Sequence, residues 1–360
     1  MLRFTTLILL FVSIVATEIE TALATSFLTA NLKTSDLAYS SVTGQVYAAV
    51  PNASLINPNT LTPINPNTAT LGTSIPIGFD PARVAVSSDG NNLFTVIGGL
   101  RAVQRYNIPS ATADQLTTVP GGPQITEMYT VPGRPNAILL HLASIGSSPP
   151  AVETVILENA VVLPDQVGHG LGVGGPDIFA VDPTDGTKAY GYQNSVSSFD
   201  NVPLLITPTG LVGNGPATLG GVLTGNIGHI AIVGDRLFDN LGQIFSLSLG
   251  FQVGSFVGGG NFLLDPSLHK FYSVTTSGSN QTINAYSLDT LALIGTTTLS
   301  GISGSTSSLT RFGFNGLAFR TSSDQVIFVQ SSLVPEPSAF ALAAFGFAGL
   351  AAWRYRRRRA

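Results

Sequence analysis

The sequence predicts an all-β chain whose middle part, residues 25–333, closes into a seven-bladed β-propeller. Three observations carry that expectation. A strand–turn–strand unit recurs seven times. Its 39 glycines and 22 prolines punctuate short runs of Val, Ile, Leu, Phe, Tyr and Thr, the composition of strands rather than helices. Cysteine is absent, so packing alone must hold the fold.

The unit is an apolar strand, a tight polar turn, then a second strand carrying an aromatic residue. The first copy is Leu37–Ser40 with turn Val42-Thr43-Gly44 before Val46-Tyr47, and the second is Val84–Ser87 with turn Ser88-Asp89-Gly90 before Leu93-Phe94. A weaker third copy occupies Met128–Thr130 with turn Pro132-Gly133. The fourth is Ile178–Asp182 with Pro183-Thr184-Asp185-Gly186 before Ala189-Tyr190. A weaker fifth, Ile230–Val233 with Gly234-Asp235, precedes the compressed strands 236–238, 243–246 and 250–256. The sixth is Phe262–Asp265 with Pro266-Ser267-Leu268 before Phe271-Tyr272, and the seventh is Leu317–Arg320 with Thr321-Ser322-Ser323-Asp324 before Val326–Val329. Anchored at Ser40, Ser87, Thr130, Asp182, Val233, Asp265 and Arg320, the spacings run from 32 to 55 residues with a mean near 47. Propeller blades of four strands have that period, roughly 40–50 residues.

After the aromatic strand the better copies continue into two more, Ala102–Ile108 with Leu116–Val119, and Thr282–Leu288 with Leu291–Leu299. The seventh copy stops near Ser332, short of outer strands. The strand-like segment Ser26–Leu32 precedes the first copy and is expected to complete the last blade, which would close the ring and remove its exposed edges. A pair of β-sandwiches would not explain seven like units, and the coils of a β-helix are shorter than this period. Asp-Gly at Asp89-Gly90 and Asp185-Gly186 is read as hairpin chemistry, with glycine supplying positive φ.

Both termini carry a different signal. Met1-Leu2-Arg3 and an apolar stretch from Leu7 to Val15 lead to Ala22-Leu23-Ala24, the small-x-small pattern of a signal-peptidase site, so residues 1–24 read as a signal peptide cleaved after Ala24. A first structural strand or an uncleaved anchor is the competing reading. At the other end stands Val334-Pro335-Glu336-Pro337, then 15 mostly apolar residues from Ala339 to Trp353, then Arg354, Arg356, Arg357, Arg358 and Arg359. Fifteen helical residues span about 22 Å, whereas a bilayer core takes about 20 apolar residues. The helix is short for a permanent transmembrane span. The arginines would hold its end in the cytoplasm, which puts the body outside. Pro335 and Pro337 keep the backbone around Glu336 extended, a form a protease can grip.

In order and position, these three parts (proline-flanked glutamate, short apolar helix, terminal arginines) resemble the PEP-CTERM sorting signal, here residues 334–360. The resemblance implies export, transient anchoring in the membrane, and processing near Val334–Pro337 by an exosortase-type enzyme. An ordinary C-terminal anchor is the alternative. Within the body, Pro81–Phe94 resembles the strand–turn–strand unit of YVTN/YncE-like propellers, relatives of WD40-like and lactonase-like ones, and Arg311–Arg320 resembles the closing blade of exported proteins of that kind.

Composition narrows function without naming it. Charged residues are 10% of the chain, against roughly 25% in ordinary soluble domains. Without Arg3, Glu18 and Glu20 of the leader and the five arginines of the tail, 10 basic and 18 acidic residues remain, a net charge near −8. Such a surface excludes a nucleic-acid partner. The four histidines, His141, His169, His229 and His269, occupy different positions of the repeat and read as solvated loop residues, so no metal is expected. Asp182–Gly186 lacks the alternating ligands and terminal Glu of a calcium loop. The glycine-rich 168–175 segment is followed by neither Lys-Ser/Thr nor a helix, so it is no phosphate loop. No G-x-S-x-G elbow is present. Lactonase-type propellers gather acidic residues, His or Arg at the channel mouth. The corresponding positions here are Asp36, Arg83, Glu127, Asp177 and Arg311, at the mouth or on the rim.

The expectation is therefore an exported cell-surface or matrix propeller without a catalytic site or cofactor. Its partners would be the signal peptidase, the exosortase-type enzyme, the membrane through the tail helix, and an extracellular polysaccharide or another surface protein. A lactonase- or lyase-like enzyme with its site in the channel is the competing class: a converging cluster of His, Asp, Glu and Arg in the channel would count against the non-catalytic reading, and a channel lined by Ser, Thr and Gly against the enzyme. Mass spectrometry of the secreted protein tests the processing: the C-terminus should fall near Val334–Pro337, whereas Arg356–Arg359 retained on all molecules would contradict it.

Overall fold

The computed structural model describes residues 26–121, 124–144, 152–169, 176–193, 201–215, 223, 227–258, 260–331 and 333. The leader with Ala22 and Ala24, the motif Val334–Pro337 and the arginines at 354 and 356–359 lie outside the described residues.

The described strands form seven antiparallel sheets, one per blade. Numbered in chain order, blades 1 to 6 span residues 36–76, 81–118, 124–169, 178–213, 230–255 and 261–300, and blade 7 is built from 306–330 plus 27–31. In blades 1 to 6 the chain runs from the innermost strand outward, each strand pairing with the next. In blades 1 and 3 the outermost place is shared by two short strands, Thr70–Leu71 with Ile75–Pro76, and Val161–Val162 with Val167–His169. The one helix among the described residues is the 3₁₀ turn Pro266–Leu268, so no described helix is long and apolar enough to cross a membrane.

Blade 7 closes the ring as expected, and it corrects one expectation. Phe27–Asn31 pairs antiparallel with Gln325–Gln330, from Phe27 opposite Val329 to Asn31 opposite Gln325. The N-terminal strand is thus the outermost strand of a blade whose other three come from the far end of the chain. The seventh unit, however, begins one strand earlier than read from sequence. Its innermost strand is Thr306–Phe312, and Leu317–Arg320 belongs to the second strand, Gly316–Thr321. Four hydroxyl residues, Thr306, Ser307, Ser308 and Thr310, blur the apolar pattern of that inner strand, which carries Leu309 and Phe312 alone as its large apolar groups. The hairpin turn is Gly313-Phe314-Asn315, inside the segment that resembled a closing blade.

Period-two alternation decides where each side chain goes, and both faces of every sheet are buried. Along Gln45–Val50, Val46, Ala48 and Val50 pack toward blade 7, while Tyr47 and Ala49 pack toward blade 2. The described residues form seven apolar clusters, one at each of the seven interfaces between neighbouring blades. Between blades 5 and 6 the cluster is largely aromatic: Phe271 stacks on Tyr286 at 4.7 Å between centroids and meets Phe238 and Phe256 edge-on at 5.1 and 5.3 Å.

Two glycines show that the Asp-Gly turns are not alike. Gly90 has φ +78°, the left-handed conformation expected of it. Gly186 does not have positive φ. Its requirement is close approach, since a Cβ there would stand 2.0 Å from the carbonyl oxygen of Pro132 in the neighbouring blade's turn.

His141 is a core residue, not a solvated one. It lies in the second strand of blade 3, Arg134–Ala143, is 1% exposed, and is opposite Thr154, whose Oγ1 is 3.0 Å from its Nδ1. Its ring centroid lies 4.8 Å from that of Phe179 in blade 4. Burial pushes its pKa down to about 4. The unfolded chain would bind a proton to this histidine near pH 6.5 while the folded one would not. The stability that follows is fully present above that pH and is lost as pH falls toward 4. Urea unfolding across this range should therefore show the native protein losing on the order of 3 kcal/mol more than a His141→Phe variant. Equal slopes for the two proteins would refute the assignment.

Candidate functional site

The innermost strands ring a central channel. Each passes from one mouth to the other, so residues at their N-terminal ends share one mouth and residues at their C-terminal ends share the opposite one. A cavity of about 630 Å³ runs along these strands, and all seven blades contribute to its wall, among them Asp36, Arg83, Glu127, Tyr129, His229 and Asn261. A second opening of similar volume at the C-terminal ends shares Pro183, Leu263 and Leu264 with it and adds Tyr39, Asp265 and Arg311.

At the first mouth the polar groups link one blade to the next. The Val84 amide donates to Asp36 Oδ2 at 3.1 Å, joining blades 1 and 2. Arg83 Nη2 donates to Glu127 Oε1 at 2.8 Å and Arg83 Nε to the Thr126 carbonyl at 3.2 Å, joining blades 2 and 3. A bulge between Pro81 and Arg83 sets the register of this arginine on its strand. Arg320 reaches in from the second strand of blade 7, donating to Ser308 Oγ at 3.2 Å and to the Thr34 carbonyl at 3.1 Å. The Leu309 amide donates to Asn261 Oδ1 at 3.4 Å, joining blades 6 and 7.

Partial burial dominates the electrostatics. It raises the pKa of Glu127; the Arg83 charge opposes that rise and Asp36 adds to it. For Arg83, burial works against the charge, but Glu127 and Asp36 outweigh it and hold the guanidinium protonated. Burial lowers the pKa of Arg320, with Asp36 supporting its charge and Arg83 opposing it. Burial chiefly, and Glu127 next, drives the phenol of Tyr129 well above its ordinary value. His229 stands in the cavity wall with its ring 4.8 Å from that of Phe262; burial, then the Arg83 charge, push it down to about 4, so it is neutral at pH 7. The cluster of two carboxylates and two guanidiniums carries no net charge.

The opposite mouth repeats the linking pattern with other residues. Ser40 Oγ donates to the Gly90 carbonyl at 3.3 Å across blades 1 and 2, and the Gly234 amide donates to Asp182 Oδ2 at 3.0 Å across blades 4 and 5. Arg311 pairs with Asp265 across blades 6 and 7 and donates to the carbonyls of Gly313 and Phe314 at 3.1 and 2.8 Å. Asp182 and Asp185 also accept from Thr184 and Thr187 within their own turn, the role of turn-forming aspartates.

Of the five charged positions singled out in the sequence, three (Asp36, Arg83 and Glu127) meet in one cavity wall. Arg311 lies at the other mouth, and Asp177 lines neither opening; its amide donates to the Tyr192 carbonyl at 2.8 Å. Sequence reading missed Arg320 because it lies on a second strand, and missed His229 as a wall residue because it precedes its strand. The aromatic partner Phe262 was visible, but nothing local paired the two. His269 is exposed, 3.2 Å from Asp289, and the side chain of His169 is not described. Among the described residues, no group of three or more His, Asp or Glu is placed to hold a metal ion.

Comparison with known proteins addresses the two parts of the chain separately. The PEP-CTERM protein-sorting motif matches residues 333–358. The β-propeller domain of Cps50 (Swd1) from Myceliophteria thermophila superposes with a TM-score of 0.56 at 9% identity, covering 85% of this chain and 99% of that one, a likeness of fold alone. No curated protein matches the chain. The protein thus carries a PEP-CTERM sorting motif behind a seven-bladed β-propeller body, and the motif implies an exported, exosortase-sorted cell-surface protein.

Proposed function

We propose that this protein is a non-catalytic binding module of the cell surface or extracellular matrix, exported by its leader, held briefly in the membrane by residues 339–353, and released by an exosortase-type enzyme. Its channel mouth takes a hydroxyl-rich polymer segment, of the kind an extracellular polysaccharide offers. The observation that carries the reading is the set of Asp36, Arg83 and Glu127 in the wall of an open cavity, neutralised by Arg320, which bonds the wall residue Ser308 from behind. A balanced set of fixed donors and acceptors suits neutral hydroxyl groups rather than a charged ligand. Tyr129, Phe262 and His229 add ring faces to the same wall. The charged groups are engaged in joining blades, and Ser308 Oγ in the same wall is bonded to an arginine instead of a base, so this hydroxyl is not set up as a nucleophile.

The same wall also meets the mark set for an enzyme: Asp36, Arg83, Glu127 and His229 converge on one cavity. Glu127, its pKa raised by burial, and neutral His229 could there serve acid–base chemistry in a lactonase- or lyase-like site.

Calorimetry with purified extracellular polysaccharide of the source bacterium separates the two readings. The native protein should bind without altering the polymer, and Arg83→Met or Glu127→Gln should weaken binding about tenfold, the loss of roughly one charge-assisted hydrogen bond. Chain scission or lactone hydrolysis that disappears in Glu127→Gln or His229→Asn would replace the binding reading with the catalytic one.

A further inference from the structure

The described body ends at Leu333, and its surroundings there are specific. Lys270 Nζ donates to the Leu333 carbonyl at 3.0 Å, and the Leu333 side chain packs against the apolar cluster between blades 6 and 7. A Cβ on Gly295 would stand 2.6 Å from Leu333 Cδ2, so Leu333 lies against the outermost strand of blade 6, Leu293–Ser300. That strand exposes Leu293 (55%) and Ile294 (49%) side by side. The cause is a bulge: Leu293 pairs with Tyr286 and Gly295 with Ala285, which leaves Ile294 as the extra residue turned out of the ladder.

The apolar surface continues onto blade 5. A Cβ on Gly254 would lie 2.7 Å from Leu291 Cδ1, so the outermost strand of blade 5, Phe251–Ser255, abuts the start of the blade 6 strand. It exposes Phe251 (52%) and Val253, and the turn before it exposes Leu249. Leu249, Phe251, Val253, Leu293 and Ile294 therefore form one band along the rim that ends at Leu333. The outermost strands of blades 2 and 3 expose single large apolar residues instead, Leu116 and Val161. Isolated residues of that kind are normal on a protein surface, whereas a contiguous band marks a contact.

Chain length fixes which surface can face the membrane. Five residues, Val334 to Ser338, separate Leu333 from the apolar run beginning at Ala339, and fully extended they reach about 20 Å. The body is therefore held within about 20 Å of a bilayer that takes up residues 339–353, and the rim around Leu333 is the part of it kept nearest the membrane. We infer that the apolar band of blades 5 and 6 is a lipid-contact surface, resting in the interface of the bilayer while the tail is inserted. This rests on the membrane-insertion reading of the tail given above. Phe and Leu are among the side chains that favour the headgroup–acyl boundary.

The chain has no cysteine, so a single introduced thiol can carry a nitroxide label without further change. The full chain, labelled at Ile294→Cys, Phe251→Cys, Leu116→Cys or Ala348→Cys, would be reconstituted in vesicles of phosphatidylethanolamine and phosphatidylglycerol. Accessibility of each label to dissolved oxygen and to a water-soluble nickel chelate would then be read. Labels at 294 and 251 should gain oxygen accessibility and lose nickel accessibility severalfold on reconstitution, as at 348, while 116 stays in water. If 348 enters lipid but 294 and 251 behave like 116, the lipid-contact inference is overturned and tail insertion stands. A label at 348 that stays in water overturns tail insertion and the inference together. Dipolar coupling between 294 labels on different molecules, with no gain of oxygen accessibility, would assign the band to a second copy and overturn the inference.

Discussion

Every blade of this protein is a sheet with two apolar faces, and neither face can be left to water. A blade is stable only with a neighbour on each side, and the last blade has a second neighbour only if it meets the first. The seven apolar clusters, one per interface, are this constraint satisfied all the way round. The pairing of Phe27–Asn31 with Gln325–Gln330 makes the circle mechanical as well as apolar. Ala30 and Leu32, at the beginning of the body, sit in the same cluster as Phe312, Val326 and Phe328, near its end. Disulfides are unavailable, so this long-range ladder does the work that a covalent clip might do in another exported protein.

The channel residues follow from the same geometry. Seven inner strands leave their ends facing each other across a small circle, where polar groups can bridge to the next blade. Asp36, Arg83, Asn261 and Arg320 at one mouth, and Ser40, Asp182 and Arg311 at the other, bridge. The candidate binding cluster is thus also part of the ring's stitching, which ties its geometry to the fold and keeps its charges where a ligand would meet them. The rim differs because nothing further packs on the outermost strands. There the apolar band of blades 5 and 6 stands beside Leu333, from which the sorting tail departs.

Much of this was legible in the residues, and the failures are instructive. The inner strand of blade 7 was missed because Ser307, Ser308 and Thr310 give it a loop-like composition, although its register is fixed by pairing with Gly316–Thr321. His141 looked like a loop residue because one polar side chain in Ile138–Leu142 carries no mark of its partner; Thr154, thirteen positions on, makes it a core residue. Gly186 was assigned a conformational role from the Asp-Gly pair, whereas its need arises from a carbonyl in another blade. In each case the missing information lay in a segment other than the one being read.

By itself, then, the sequence determined what is local or periodic. The alternation and turn chemistry of seven units specified a propeller, the strand at 26–32 was marked as the closing piece, and the order of motif, apolar run and arginines marked the tail for sorting. These follow from properties that each short segment carries alone. The tertiary structure decided which side chains meet: Asp36, Arg83, Glu127 and His229 around one cavity with Arg320 bonded to its wall residue Ser308, Arg311 at the opposite mouth, and an apolar band beside Leu333. Those encounters depend on the angle at which the ring closes and on bulges at Arg83 and Ile294, and no period in the chain encodes them.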